Sequence, residues 1–369
     1  MRITSIQLQG FRNYDDAVIS PCEGITVFTG NNAQGKTNIL EAVYLLCTGR
    51  SHRTVHDKEM IKTGHDFARV KVEARRMDGM HDVEIALSQM GRRKIKVAGN
   101  TVSKSGEMLG HITGVLFAPE DLRMVKDGPS ERRRFVDMEL SQLRPKYYYA
   151  LQRYARALKQ RGALLKEAAV NPSASGMIDM FDEQLAESGA LIMDMRRDFI
   201  RKLSVKAGEV HRQVSGGLEK LSVEYCPSIQ AGENGETLEN AIYEALRCAR
   251  TIDLKRMVTS VGPHRDDVRM NLNGMDVRAY GSQGQVRTCA LSMKLSELQI
   301  MTEESGEAPV LMLDDVMSEL DPGRRRMLLN MLSGVQTFVT CTDIEDLAGA
   351  ECGKIFRVTN AVLEEADGR

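Results

Sequence analysis

The residues best suited to chemistry form one short run, Gly30-Asn31-Asn32-Ala33-Gln34-Gly35-Lys36-Thr37. This phosphate loop fits the pattern G-x-x-x-x-G-K-[ST] at every fixed position. The glycines let successive backbone N–H groups turn towards phosphate oxygens, and the start of the following helix adds a partial positive charge. The pattern therefore predicts binding of a nucleoside triphosphate, with Lys36 on the β- and γ-phosphates and Thr37 ligating Mg²⁺.

The residues on either side of the phosphate loop can hold it in place. Gly24–Thr29 forms an apolar run typical of a buried strand, and Thr37–Leu46 has the apolar face of a helix. A strand, a glycine-rich loop and a helix in this order are what phosphate binding requires.

A second candidate element is the apolar run Val310–Leu313, which ends in Asp314 and Asp315. At the end of a strand, Asp314 can hold Mg²⁺ through its water shell, and Asp315 can orient the attacking water. These two residues are the candidate catalytic pair, and Thr37 and Asp314 are the candidate metal ligands. The alternative is that the two acids only cap the helix that Pro322 begins.

A third element, Tyr280–Arg287, opens a predicted helix from Val286 to Met301. A serine followed by glycine and glutamine at a helix N-terminus offers a hydroxyl and free N–H groups to a phosphate. We call Ser282, Gln283, Gly284 and Gln285 the signature segment. An ordinary capped helix is the alternative interpretation.

Composition limits the classes of protein to consider. With 369 residues, 42% of them hydrophobic, the chain can form two or three domains, and its net charge of -1 means that any DNA binding depends on a local basic patch. The seven cysteines include no C-x-x-C pair, which favours free thiols in a reducing compartment over disulfides or zinc. No apolar run approaches a membrane span, so we expect a soluble cytoplasmic protein with no membrane partner.

Strand-like and helical patterns alternate in long blocks along the chain. Residues 1–118 are mostly strand-like, residues from about 120 to 215 are helical, and an α/β alternation closes the sequence from about 284. These patterns predict an α/β ATPase lobe made of 1–118 and 255–369, with a helical lobe, 119–254, inserted between them.

The helical block contains two apolar stripes at coiled-coil spacing. They consist of Tyr147, Leu151, Tyr154, Leu158 and Leu165, and of Phe181, Leu185, Ser188, Ile192, Met195 and Phe199. With a turn at Asn171–Ala174, they predict a short antiparallel helical hairpin. Seven basic residues and no acid lie between Leu140 and Lys166: Arg144, Lys146, Arg153, Arg156, Lys159, Arg161 and Lys166. They favour a surface that contacts DNA phosphates; a merely solvated face is the alternative.

Together these elements resemble the heads of ABC-type ATPases. The phosphate loop, signature segment, Asp314-Asp315 and Ser318–Asp321 are similar to the Walker A, signature, Walker B and D-loop motifs, and their separation resembles that of SMC heads. A closer resemblance, to the bacterial RecF family, rests on five further segments. These are Phe11-Arg12-Asn13-Tyr14, Ala118–Leu122, Arg132–Phe135, Gly262–Asp267 and Leu313–Val316.

The resemblance has functional implications. It implies a P-loop NTPase of the ABC and SMC-head type that binds ATP and Mg²⁺, with Arg12 and Asn13 over the nucleotide, and dimerises when ATP is bound. It also implies DNA, single-stranded or gapped, as a partner, RecR and RecO as protein partners, and a role in DNA replication, gap repair and the SOS response.

Several features differ from the general ABC pattern. The signature has Gly281-Ser282-Gln283-Gly284 where Leu-Ser-Gly-Gly is usual, and Asp315 stands where a glutamate is usual, so slow hydrolysis is expected. Glu120 is the candidate for the glutamine-loop position, and we expect Arg265, Asp266 and Asp267 to form an ion-pair network. An SMC-like structural ATPase and a small-molecule kinase remain alternative functions.

Overall fold

The computed structural model describes residues 1–168, 170–171, 176–230, 236–347 and 351–366. They form two compact units. Unit 1 contains 1–122, 213–216 and 290–369, and unit 2 contains 123–212 and 217–289. Residues 255–289, which the sequence analysis assigned to the ATPase lobe, are thus grouped with the helical residues.

Fifteen strands and nine α-helices are present in the described residues, numbered in chain order. The strands are β1 Arg2–Phe11, β2 Tyr14–Ile19, β3 Ile25–Thr29, β4 Phe67–Arg76, β5 Gly79–Ser88, β6 Lys94–Val97, β7 Asn100–Val102, β8 Gly114–Phe117, β9 Leu221–Cys226, β10 Asp267–Leu272, β11 Met275–Asp276, β12 Val310–Asp314, β13 Thr337–Cys341, β14 Cys352–Thr359 and β15 Val362–Ala366. The helices are α1 Lys36–Thr48, α2 Leu122–Lys126, α3 Pro129–Leu143, α4 Pro145–Ala168, α5 Ile178–Val214, α6 Leu238–Arg256, α7 Val277–Tyr280, α8 Gln283–Ser305 and α9 Pro322–Met331.

Unit 1 contains two six-stranded sheets. The first has the order β2-β1-β4-β5-β6-β7, and every pairing in it is antiparallel. The second has the order β15-β14-β3-β13-β12-β8 and is parallel except for β15. Strand β3 is central in the second sheet and largely buried, as expected for an apolar run with parallel neighbours on both sides.

Helix α1 packs against strands of both sheets in unit 1. Ten of its thirteen residues are buried, so it has no wide polar face, which is typical of a helix enclosed by protein. Because the parallel strands β3, β12 and β13 all end at the same edge, the loops that follow them meet where α1 begins.

In unit 2, α4 and α5 form the predicted antiparallel hairpin, which we call the arm. Arg153 Nη1 lies 2.6 Å from Glu187 Oε1, and Arg161 Nε lies 2.6 Å from Asp182 Oδ1. As the residue number increases along α4, the number of the partner residue on α5 decreases, so the two helices run antiparallel. The two helices have 24 and 37 residues. The predicted turn at Asn171–Ala174 lies largely outside the described residues.

One residue of the predicted basic surface does not belong to it. Arg161 is fully buried, and its guanidinium contacts Asp182, Asp253 (2.7 Å) and Thr259 Oγ1 (2.9 Å). It is a core ion-pair residue of unit 2 and cannot contact DNA. By contrast, Lys146, Arg156, Lys159 and Lys166 are exposed on α4.

The segment Gly262–Asp267 forms the expected ion-pair network, but with different arginines. Asp266 accepts from Arg196 Nη1 at 3.3 Å and from Ser228 N at 2.8 Å, and Asp267 pairs with Arg132. Arg265 instead donates to the carbonyl of Thr259. The predicted role of Arg265 in the network is therefore wrong, because its side chain points to a backbone acceptor.

Candidate nucleotide-binding site

The phosphate loop joins β3 to α1, and two of its glycines are required by close contacts. Gly30 has φ 146°, and a Cβ there would lie 2.4 Å from Val358 O. Gly35 has φ 115°, and a Cβ there would lie 2.7 Å from Asn13 Nδ2. Only glycine fits both the backbone conformation and the space.

Lys36 and Thr37 begin α1 at the edge of the parallel sheet. Lys36 Nζ donates to Gly30 O and, at 2.8 Å, to Asn31 O. Burial lowers the pKa of Lys36, while the charges of Asp315 and Asp314 oppose that shift. The cation therefore lies against the loop, close to both strand-end carboxylates.

Asp314 at the end of β12 is fixed by two hydroxyl groups. Thr37 Oγ1 donates to Asp314 Oδ1 at 2.9 Å, and Thr340 Oγ1 on β13 donates to the same oxygen at 2.7 Å. Burial raises the pKa of Asp314, and these two hydrogen bonds oppose the rise. The two elements that the sequence separates by 277 residues thus meet at one carboxylate.

Asp315 has a different environment from its neighbour. It is half-buried, has φ 53°, and its N–H donates to Thr340 Oγ1 at 2.9 Å. Asp321, further along, caps α9 by accepting from Gly323 N and Arg324 N, both at 3.0 Å. Asp321, and neither Asp314 nor Asp315, therefore caps α9, which contradicts the alternative that these two acids only cap this helix.

Arg12 and Asn13 support the loop and α1 from the end of β1. Arg12 makes a two-point ion pair with Glu41 of α1, at 2.8 Å and 2.5 Å. Although burial opposes it, the hydrogen bonds from Arg12 and Ser51 lower the pKa of Glu41. Asn13 Nδ2 donates to the carbonyl of Gln34 at 3.1 Å. Arg12 and Asn13 therefore both lie next to the phosphate loop and α1, and both form hydrogen bonds with other residues of the protein there.

The turn between β14 and β15 also contacts the phosphate loop. Asn360 N donates to Gln34 Oε1 at 2.6 Å, and Ala361 N donates to Gln34 O at 3.0 Å. A cavity of about 570 Å³ borders the loop here, lined by residues 29–31, 34, 342–344 and 357–360. This turn was not anticipated from the sequence.

The donor set at Asp314 fits Mg²⁺. Magnesium in nucleotide sites takes oxygen ligands, typically one or two carboxylates, with substrate phosphates and water completing the shell. Thr37 Oγ1 and the Asp314 carboxylate supply two such oxygens 2.9 Å apart. Among the described residues there is no cluster of three or more His, Cys, Asp or Glu side chains that could hold a metal alone, so the phosphates would complete the shell.

Three further polar residues act on Asp314: His52, Glu120 and Thr340. Of these, only Glu120 was named from the sequence. The charges of His52 and Glu120 act on the pKa of Asp314, lowering and raising it respectively. Both ring nitrogens of His52 are buried without a hydrogen-bond partner in the described part of the chain. Glu120 follows β8, a parallel neighbour of β12, and strand order could have indicated it; no spacing pattern indicated His52 or Thr340.

The signature segment lies in unit 2, where it begins α8. Ser282 Oγ accepts from Gln285 N at 3.3 Å, and Gln285 Oε1 accepts from Ser282 N at 2.8 Å, which is a capping box. Gln285 Nε2 also donates to Glu219 Oε1 at 2.8 Å. Ser282 and Gln283 remain exposed, so the segment presents a rigid helix N-terminus to solvent.

Comparisons with known proteins settle the family. The model for the RecF/RecN/SMC N terminal domain matches residues 2–363. The DNA replication and repair protein RecF of Alkaliphilus oremlandii is 42% identical over 349 residues, which cover 94% of this chain and 95% of that protein. The chain belongs to the RecF family. RecF of Clostridium perfringens, 41% identical, covers 99% of the chain and is itself covered completely.

Solved structures agree with this assignment. The recombination mediator protein RecF with ATP, of the RecFOR pathway, superposes with a TM-score of 0.92 at 38% identity, covering 99% of this chain and 97% of that one. The Smc head of Pyrococcus furiosus reaches 0.58 at 17% identity and supports the fold alone. The predicted fold class, an ABC and SMC-head type ATPase with an inserted helical lobe, is confirmed. The described residues contain no helix long and apolar enough to cross a membrane.

Proposed function

We propose that this RecF-family chain is an ATP-dependent DNA-binding protein that acts in DNA replication, gap repair and SOS induction. ATP-Mg²⁺ drives its dimerisation on single-stranded or gapped DNA, and hydrolysis is slow. The observation that best supports the proposal is the junction of Thr37, Asp314 and Thr340, because a hydroxyl group and a carboxylate beside the phosphate loop are suited to bind Mg²⁺. RecR and RecO, the partners that the resemblance implies, belong to the same proposal.

The residues have distinct roles in this proposal. Backbone N–H groups of 30–37 and the Lys36 ammonium bind the phosphates, and Thr37 with Asp314 holds the metal, whose charge would stabilise the transferring phosphoryl group. Asp315 orients the attacking water. In a dimer, the signature segment of a second copy would complete the site. Asp315 is one methylene shorter than glutamate, which agrees with slow turnover.

The two alternative functions, a small-molecule kinase and an SMC-like structural ATPase, account for fewer of the observed features. A small-molecule kinase has no use for the signature segment or for Ser318–Asp321. An SMC-like structural ATPase needs a far longer arm, because helices of 24 and 37 residues reach only about 36 and 56 Å at 1.5 Å per residue.

Substitution in the phosphate loop tests the proposal. We expect Lys36→Ala and Thr37→Ala each to weaken ATP-Mg²⁺ binding by about 12- to 160-fold in calorimetry, because each removes a direct contact worth about 1.5–3 kcal/mol. Lys58→Ala, at an exposed lysine in unit 1, is the matched control and should bind as wild type does. If both loop variants bind ATP as tightly as wild type does, the assignment of this site is refuted. If both variants bind DNA as tightly as wild type does, with and without ATP, the coupling of ATP binding to DNA binding is refuted.

A further inference from the structure

A small pocket in unit 2 is lined mostly by charged side chains. It has a volume of about 130 Å³ and lies between β10 and α7, directly before the signature segment along the chain. Its charged lining consists of Arg132, Asp267, Arg269, Asp276 and Arg278. Three positive charges against two negative ones leave the lining with a net positive charge.

Arg132 and Asp267 form a neutral, preorganised pair in this pocket. Arg132 is buried, and its Nε and Nη2 lie 2.7 Å and 3.0 Å from the two oxygens of Asp267. Its Nη1 donates to the carbonyl of Asp127 at 2.8 Å. Asp267 also accepts from Val268 N at 2.7 Å, so its negative charge is already satisfied from within the protein.

The positive charge that remains comes from Arg269 and Arg278. Both are exposed, and within the described residues neither guanidinium has a hydrogen-bond or ion-pair partner. The remaining acid, Asp276, accepts from the backbone N–H of Arg278 at 2.8 Å as the cap of α7. Two guanidinium forks therefore line a pocket whose carboxylates already have donors.

We infer that this pocket binds one phosphate group of the DNA backbone. Arginine forks match the geometry of phosphate oxygens, and a space of about 130 Å³ holds a phosphate group with room for water, which takes about 30 Å³ per molecule. The inference rests on the proposed DNA binding and adds a named contact to it.

The position of the pocket would couple DNA to the signature segment. Arg278 lies in α7, four residues before Ser282, and Gly281 between them is tightly packed. Its N–H donates to Val277 O at 2.9 Å, and a Cβ at Gly281 would lie 2.5 Å from the same oxygen. A phosphate held by Arg278 therefore restrains the backbone that presents Ser282.

The salt dependence of DNA binding tests the inference. The variant is Arg269→Gln with Arg278→Gln, and the control is Lys255→Gln with Arg256→Gln, which removes two exposed charges from α6 of the same unit. Binding of a fluorescent gapped duplex is measured with ATP from about 50 to 200 mM salt, after circular dichroism has confirmed folding. We expect the slope of log K against log salt, which is negative, to become less steep by about 0.9 in the pocket variant, the value for one lost phosphate contact.

Each other result overturns the inference. Equal slopes in the pocket variant, the control and wild type would show that no phosphate is held here, and equal losses in both variants would show a general effect of charge. Calorimetry with inorganic phosphate separates the two sources of the phosphate group, the DNA backbone and the free anion. If wild type binds inorganic phosphate, the pocket variant does not, and the slope for DNA is unchanged, the ligand is a small anion instead. If wild type itself fails to bind DNA, the proposed function fails, and this contact with it.

Discussion

At the scale of single residues, one hydroxyl positions both strand-end acids. Thr340 Oγ1 donates to Asp314 Oδ1 and accepts from Asp315 N. Asp314 is buried beneath these contacts, whereas Asp315 is half-buried with a positive φ. The two adjacent carboxylates therefore lie in different environments, and this difference supports the proposal that one binds a metal and the other orients water.

The role of Asp315 can be separated from nucleotide binding. We expect Asp315→Asn to bind ATP and dimerise normally, but to hydrolyse ATP about 10²–10⁴-fold more slowly and to stay longer on DNA, because the carboxylate that orients water is lost. Phosphate release and DNA dissociation are the measurements. Asp16→Asn, at an exposed acid on β2, is the control. Unchanged hydrolysis in the Asp315 variant would assign the water to another group.

Those residues of the candidate site that belong to contiguous sequence patterns could be predicted from the sequence. Lys36, Thr37 and Asp314 were predicted because loop and strand-end chemistry have fixed spacing. Thr340 and His52 were not, because their contribution depends on strand order and on the path of the chain after α1. No local pattern encodes the fact that β13 lies beside β12.

At the scale of elements, the hairpin of β14 and β15 acts on the phosphate loop through its turn. Asn360 and Ala361 both have positive φ, as a two-residue hairpin turn of this type requires, and their N–H groups both bind Gln34. Two separate segments therefore hold Gln34, since Asn13 also donates to Gln34 O. Neither strand of this hairpin was predicted from the sequence.

Removing the Gln34 side chain tests this support. We expect Gln34→Ala to weaken ATP binding by about 2- to 12-fold, from the loss of one hydrogen bond worth about 0.5–1.5 kcal/mol, and to speed amide exchange at Asn360. Gln160→Ala, at an exposed glutamine on α4, is the control. Faster exchange at Asn360 without any change in affinity would make the contact purely structural.

The arm gives a second prediction at this scale. Arg153 is paired with Glu187, so a charge reversal there would confound DNA binding with folding. Arg156 and Lys159 are exposed and have no partner in the described residues. We expect Arg156→Glu with Lys159→Glu to weaken DNA binding for all sequences and to flatten its salt dependence. The same reversal at Lys255 and Arg256 is the control, and an unchanged slope in the arm variant would place the DNA surface elsewhere.

At the scale of the whole molecule, the two segments that are proposed to form an ABC-type site in a dimer belong to different compact units. The phosphate loop belongs to unit 1 and the signature segment to unit 2, where Ser282 is exposed at the start of α8. The division into these units follows neither chain order nor the predicted boundaries, because α8 crosses from one unit to the other at Cys289 and Ala290. Periodicity predicted the helix but could not show where a unit ends within it.

Substitution of Ser282 tests whether a second copy completes the site. We expect Ser282→Arg to bind ATP as a monomer and to lose ATP-dependent dimerisation in sedimentation, because the bulk of the arginine side chain keeps this helix N-terminus from approaching a phosphate held by the other copy. Ser282→Ala removes the cap, at a cost of about 0.5–2 kcal/mol in stability, without adding bulk, so it should still dimerise. Dimerisation of the arginine variant would exclude this arrangement.

The sheet order around β3 has a consequence for how the chain is made. Both neighbours of β3, β13 and β14, follow it by roughly 300 residues, which at about 5–20 residues per second leaves β3 unpaired for roughly 15–60 s of synthesis. During that time the apolar run Ile25–Thr29 has two open edges, and the phosphate loop lacks the turn that holds it. A nascent chain is thus both prone to aggregate at β3 and unable to bind nucleotide, so chaperone protection of this strand should matter before ATP does.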